Sequence, residues 1–120
     1  MLYRFDGPLT FFNSDYFKTR ALAVAEVAGP ELRWFVIDAI PVSQIDITGL
    51  YALRDLRKLL EARGTSLLLA GRKAEFLAWF REAGLYRPEH ETWILPTLRQ
   101  ALKAHRREAQ HIAPLKQDDL

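Results

Sequence analysis

Apolar residues recur along this chain in two rhythms, and the rhythms alternate. Leu2-Tyr3-Arg4-Phe5-Asp6 alternates apolar and polar positions with the two-residue period of a strand until Gly7-Pro8 breaks it. Leu9-Thr10-Phe11-Phe12 is a second short run of the same kind, so the pair predicts a hairpin through Gly7-Pro8. Asn13-Ser14-Asp15 then opens a helix. Asn13 offers an acceptor to an orphan backbone N–H, and Asp15 sits at the positive end of the helix dipole. Phe17, Ala21, Val24 and Ala28 return at helical spacing as its buried stripe, and Gly29-Pro30 stops it. Arg33 to Ile40 is apolar at nearly every position, the pattern of a central strand covered on both faces.

A loop from Pro41 to Gly49 leads into the best amphipathic helix of the sequence. Gly49, Ala52, Leu53, Leu56, Leu59, Leu60 and Arg63 mark one face, Tyr51, Arg54, Asp55 and Lys58 the other, and Gly64 ends it. Thr65 to Ala70 reads as a strand closed by Gly71. Lys73 to Ala83 reads as a helix with Phe76, Leu77 and Phe80 inward and Gly84 as its stop. Thr92-Trp93-Ile94-Leu95 is a short strand, and Pro96-Thr97 opens a last helix lined by Leu98, Ala101, Leu102 and His105. Beyond Arg107 the apolar pattern thins, so residues 1–107 are expected to form the domain and 108–120 a flexible tail. Strands alternating with helices imply an α/β domain, and the opening hairpin makes its sheet mixed. A chain that starts inside a strand reads as a cut from something longer.

Composition narrows the function classes. A length of 120 residues is that of one domain, and 49% hydrophobic residues suffice for a core. Cysteine is absent, which excludes a disulfide framework, a thiolate nucleophile and a Cys-based zinc site. Seventeen basic residues against 15 acidic leave a net charge of +2, too balanced for a nucleic-acid binder with a dense basic stripe. The longest apolar runs, Ala21–Ala25 and Phe76–Phe80, fall far short of the roughly 20 residues of a membrane span. There is no signal-peptide pattern, and the composition is that of a soluble cytosolic domain.

The search for chemistry leaves one loop. His90, His105 and His111 stand apart from one another and from any carboxylate cluster at ligand spacing, so they read as surface or half-buried residues. No Gly-x-Ser-x-Gly elbow occurs. Gly64 and Gly71-Arg72-Lys73 have the wrong spacing for a phosphate-binding loop, and the residues between them are an apolar strand. Ile45-Asp46-Ile47-Thr48-Gly49-Leu50 sits where the central strand hands over to the amphipathic helix, and a helix N-terminus holds anions or phosphoryl groups. Gly49 has no side chain to keep another molecule from its backbone. The plainer reading is capping, with Asp46 as N-cap and Ile45 and Leu50 as a hydrophobic staple, or with Thr48 as the cap. Both readings stay open. On the outer face Arg54 and Lys58 repel slightly, and with Tyr51 they form a cationic, aromatic ridge that suits an acidic partner or is simply solvated.

The run from Tyr3 to Phe17, the strand ending at Asp38 and the loop Ile45 to Leu50 together resemble a STAS domain. The likeness covers Leu2 to about Lys103 and is greatest to the C-terminal cytoplasmic STAS domain of SulP-family anion transporters. It implies a four- to five-stranded sheet with about four helices packed mainly on one side. It also implies a regulatory, non-enzymatic domain at the cytoplasmic face of the cell membrane, with no cofactor. Its partner would be the transmembrane region of the parent transporter or a cytosolic regulatory protein, and it would dimerise through that parent. The transporter family carries sulfate, bicarbonate and dicarboxylates. Asp46, Thr48 and Gly49 would form its regulatory loop, with Thr48 a phosphorylation or anion site. Tyr51, Arg54 and Lys58 are the partner surface inferred from helix periodicity. Two alternatives follow from the same superfamily. One is a stand-alone switch resembling anti-sigma-factor antagonists, whose loop reads Asp-Ser-Ser/Thr-Gly; here Ile47 replaces the first hydroxyl and Thr48 keeps the second. The other is a nucleotide or anion sensor.

Overall fold

The computed structural model describes residues 1–4, 7–10, 13–108 and 117–118, with side chains through residue 104. The strands are β1 (Leu2–Arg4), β2 (Trp34–Asp38), β3 (Ser66–Ala70), β4 (Ile94–Leu95) and β5 (Gln117–Asp118). The helices are α1 (Ser14–Ala28), α2 (Ile47–Ala62), α3 (Lys73–Glu82), the single turn α4 (His90–Trp93) and α5 (Leu98–Glu108). The strands form one sheet in the order β4-β3-β2-β1-β5. Trp34 lies opposite Ser66 and Asp38 opposite Ala70, while Leu2 pairs with Val36 and Arg4 with Asp38.

Phe35 to Asp38 and Leu67 to Ala70 are buried without interruption, so β2 and β3 are covered on both faces, as the unbroken apolar runs predict. From β1 to β3 the chain steps across the sheet in one direction, and right-handed crossovers then put α1 and α2 on the same face. The two helices pack on each other. The return from β4 to the far edge carries α5 across the other face, against β2 and β3. Phe17 of α1, Leu53, Leu56 and Leu60 of α2, and Phe35 and Ile37 of β2 belong to one buried cluster. Tyr3 joins it, its ring 5.6 Å from Phe35 and 6.1 Å edge-on from Phe17.

The α/β class holds, but the described residues form no opening hairpin. Gly7 takes φ +103°, and the chain carries Leu9 past the end of β1 to make a parallel bridge with Ile45. Every described pairing is therefore parallel, and among the described residues the sheet is not mixed. Phe11 and Phe12 lie outside the described residues. Asn13 precedes α1 but does not cap it. Its Oδ1 accepts the Thr10 N–H at 2.9 Å and its Nδ2 donates to Pro8 O at 2.8 Å, so it ties down the loop before the helix. The buried positions of α1 are Ser14, Phe17, Ala21 and Ala25, with Val24 half-buried and Ala28 exposed at the end of the helix. On α2, Leu59 and Arg63 fall outside the buried face. Thr92 and Trp93 are helical, and only Ile94–Leu95 reaches the sheet. Residues 109–116 of the expected tail are outside the described residues, while Gln117–Asp118 pair with β1. Among the described residues no helix is long and apolar enough to cross a membrane.

Candidate functional site

In a parallel sheet, ligands and partners meet the loops at the carboxyl ends of the strands. Here that end gathers Arg4, Asp38, the turn at Gly71-Arg72 and the loop into α2. Asp46 settles the choice of cap. Its backbone is extended, and Oδ1 accepts the Gly49 N–H at 2.9 Å. Its own N–H donates to Leu9 O at 3.1 Å, and Leu9 N–H donates to Gln44 O at 2.8 Å, which fastens the loop to the segment before α1. The carboxylate faces the positive end of the helix. Replacing Asp46 by alanine is expected to cost about 1 kcal/mol in urea unfolding, and Asp46→Asn a few tenths, because Asn caps nearly as well.

Gly49 is buried, and the molecule that approaches its backbone is the chain itself. A Cβ built there would lie 2.6 Å from Leu9 O and 2.7 Å from Ile45 Cγ1. Thr48, one residue earlier, is exposed, and Ile47 is 47% exposed beside it. The loop therefore divides into Asp46 and Gly49, which hold α2 in place, and Thr48 and Ile47, which face outward.

Tyr51, Arg54 and Lys58 do share the outer side of α2. The Arg54 guanidinium lies 4.7 Å from the centroid of the Tyr51 ring, a cation–π pair. Asp55 draws Arg54 Nε to 3.9 Å and Lys18 Nζ of α1 to 4.0 Å. Arg54 is thus turned aside, and Lys58 is left exposed one turn on. With Ile40 (52% exposed) and Tyr51 this end carries apolar side chains among cations.

Two features here escaped the periodicity argument. Asp38, the acid that ends the apolar strand, has a side chain only 3% exposed, and its Oδ2 receives Arg4 Nη2 at 3.0 Å and Nε at 3.1 Å. Its Oδ1 accepts the Ile40 N–H at 3.1 Å. The signal was a lone carboxylate within an apolar run, which must find a partner if buried. The second is Arg72, held at φ +54° after Gly71, whose Nε donates to Ile40 O at 2.7 Å while Nη1 meets Glu75 at 2.8 Å. Both backbone groups of Ile40 are thus held by side chains, the N–H by Asp38 at the end of β2 and the carbonyl by Arg72 beyond the end of β3, and the loop toward Thr48 leaves β2 in a fixed direction.

His90 is not a surface or half-buried residue; it is 4% exposed, because the α3–α4 turn folds it against Phe80. The side chain of His105 and all of His111 lie outside the described residues.

Comparison with known proteins places these observations in a family. A probable sulfate transporter of Mycobacterium tuberculosis is 36% identical over 107 residues, which cover 89% of this chain and 19% of that protein. The chain thus spans about a fifth of that relative's length. The crystal structure of a sulfate transporter family protein from Wolinella succinogenes superposes with a TM-score of 0.74 at 26% identity, covering 91% of this chain and 86% of that one. The STAS domain of a SulP transporter from Vibrio cholerae shares the fold, with a TM-score of 0.69 at 22% identity over 92% of this chain and 84% of that one. The model of the STAS domain matches residues 1–101, from β1 into α5, and on that match the chain belongs to the STAS domain family.

Proposed function

We propose that this chain is the regulatory, non-enzymatic domain of a SulP-type anion transporter of the sulfate, bicarbonate or dicarboxylate class. In this reading it lies at the cytoplasmic face of the membrane and acts by contact with the transmembrane region. The observation that carries it is the alignment of nearly the whole chain with a fifth of a transporter, which leaves four-fifths of that relative as a covalent neighbour of the matched stretch. The outward pair Ile47–Thr48 and the ridge Tyr51, Arg54 and Lys58 are the surface through which contact would be made. The clamp on Ile40 supports this assignment, since a rigid loop passes on a displacement that a loose one absorbs.

Thr48→Glu tests the reading in the full-length protein that carries this chain. The first turn of α2 has no acidic residue, so a carboxylate there is favoured by the helix dipole and leaves the domain folded. It also imitates part of the charge that phosphorylation at Thr48 would add. Anion uptake is expected to change by about fivefold at unchanged membrane expression, the lower end of coupling between distinct sites. Unchanged uptake in this variant and in Tyr51→Ala/Lys58→Glu would remove this surface from regulation.

A further inference from the structure

We propose that the segment from Gly84 to Leu95 is an acid-sensitive latch, closed by the neutral ring of His90 and opened when that ring takes up a proton. The inference is independent of the transporter reading. His90 and Arg87 are bonded reciprocally. His90 N–H donates to Arg87 O at 2.9 Å, and Arg87 N–H donates to His90 Nδ1 at 3.1 Å. A ring that accepts at Nδ1 carries its proton on Nε2. The ring is stacked 4.2 Å from Phe80 of α3 and meets Trp93 at 5.7 Å and Tyr86 at 6.0 Å. A second proton would go to Nδ1, setting two donors face to face and placing a charge in a buried aromatic nest.

The charged neighbours do not rescue that charge. From α2, Arg57 lies 5.2 Å from the Trp93 ring and bonds Glu89 at 3.0 Å. From the turn come Arg87 and Glu89 themselves. From α3, Lys73 and Arg81 both face Glu91, at 3.6 and 3.7 Å, and the Tyr86 hydroxyl donates to Glu91 at 3.0 Å. Burial lowers the pKa of His90 first; Glu89 opposes it, and Arg57 and Arg87 add to it. The Glu89 carboxylate is already committed to Arg57, which lowers its own pKa. The latch also holds a buried donor with no partner among the described residues, the Trp93 Nε1–H, so opening it relieves one desolvated group.

Opening has a defined reach. Trp93 leads directly into β4, which pairs with Leu69 and Ala70 of β3, and Leu95 O accepts the Gly71 N–H at 2.9 Å. Lys73 Nζ, at the start of α3, donates to Glu91 O at 3.0 Å. Release of His90 therefore frees one edge of the sheet and the start of α3 together. The sign follows from linkage. The closed form favours neutral His90, so the latch is complete above the ordinary imidazole pKa of about 6.5. It weakens as pH falls from there toward the lower closed-form pKa, by up to about tenfold in the closed-to-open ratio per pH unit.

The test is NMR of the 120-residue chain between pH 7.5 and 5. It follows the His90 imidazole and the amide exchange of Arg87, Trp93 and Leu95, corrected for intrinsic rates and referred to the amides of β2. In the wild type the protection of these amides is expected to fall with pH by up to about tenfold per unit below about 6.5. His90→Asn keeps an acceptor near Nδ1 and His90→Phe keeps a ring; neither titrates, and in both the protection should be flat. An equal pH slope in the variants would overturn the latch. Should both variants fail to fold, the wild-type imidazole decides alone, since titration at or above about 6.5 contradicts the proposal.

Discussion

Gly49→Ala is expected to lower the unfolding free energy of the domain by about 2 kcal/mol, although alanine is the better helix former by about 1 kcal/mol. The two effects have different origins. Gly49 sits in the first turn of α2 at an ordinary helical backbone angle, so nothing in its conformation requires glycine. The requirement comes from packing. A methyl group would stand 2.6 Å from the carbonyl oxygen of Leu9, 2.7 Å from Ile45 Cγ1 and 3.1 Å from Leu9 Cγ. Ile45 has some freedom to turn. The Leu9 carbonyl has little, because it accepts the Asp46 N–H, and Asp46 in turn caps the helix. Relief of the clash must pull α2 away from the segment before α1, which weakens the Asp46 cap and the Leu9–Ile45 bridge at once. Urea denaturation of the variant measures the loss. A gain in stability would mean that propensity outweighs packing at this position. Asp46→Ala, at about 1 kcal/mol, then provides a scale from the same turn.

Arg4→Met is expected to cost about 2 kcal/mol. Breaking a fully buried ion pair by removing one partner costs about 3–5 kcal/mol, because the remaining charge is stranded. The Arg4 side chain is 53% exposed, so solvent already screens the pair and the figure must be discounted. The asymmetry still matters. Removing Arg4 strands the Asp38 carboxylate, which is almost wholly buried, whereas removing Asp38 leaves an arginine free to turn into water. Methionine keeps much of the aliphatic bulk of arginine, so the loss reports the guanidinium and not a cavity. Hydrogen exchange adds a local readout, since the Ile40 amide bonds the same carboxylate and should lose protection with Arg4 removed. An Arg4→Met protein as stable as the wild type, with the Ile40 amide unchanged, would show that the bond from Ile40 suffices for Asp38.

The sequence was most legible where burial alone decides. The strand around Phe35, the stripe Leu53-Leu56-Leu60 and the inward faces of Phe76 and Phe80 follow from period and apolarity, and the structure buries each of them. The Asp46 cap was readable only as one of two choices, a short acid ahead of an amphipathic run with Thr48 as its rival, and the bond from the Gly49 N–H decides between them. What misled was local pattern where a distant contact wins. Leu9-Thr10 reads as a strand partner for β1, yet it is taken up by Ile45, and no property of Leu9 itself announces this. Gly49 looked like an opening for a visitor because a glycine shows only that space is needed, not who fills it. Arg4 and Asp38 are far apart in sequence, and only the parallel register brings them side by side. His90 gave no signal because the ring it stacks on, Phe80, comes from another helix ten positions earlier.

The parallel sheet has a consequence for how the chain comes to be folded. A hairpin would let the first two strands pair as soon as they are made. Here Leu2 must wait for Val36, and Trp34 for Ser66, with a helix between each pair. Every early strand contact therefore closes a long loop, whose entropy is lost before the sheet returns any energy. During synthesis β1 is made well before its partner β2, and α1 between them is an element whose backbone bonds are all local. Nucleation is then expected on the α2–β3 unit with β2, where the strands and the helix are longest, and β1 is a late addition to a sheet already built.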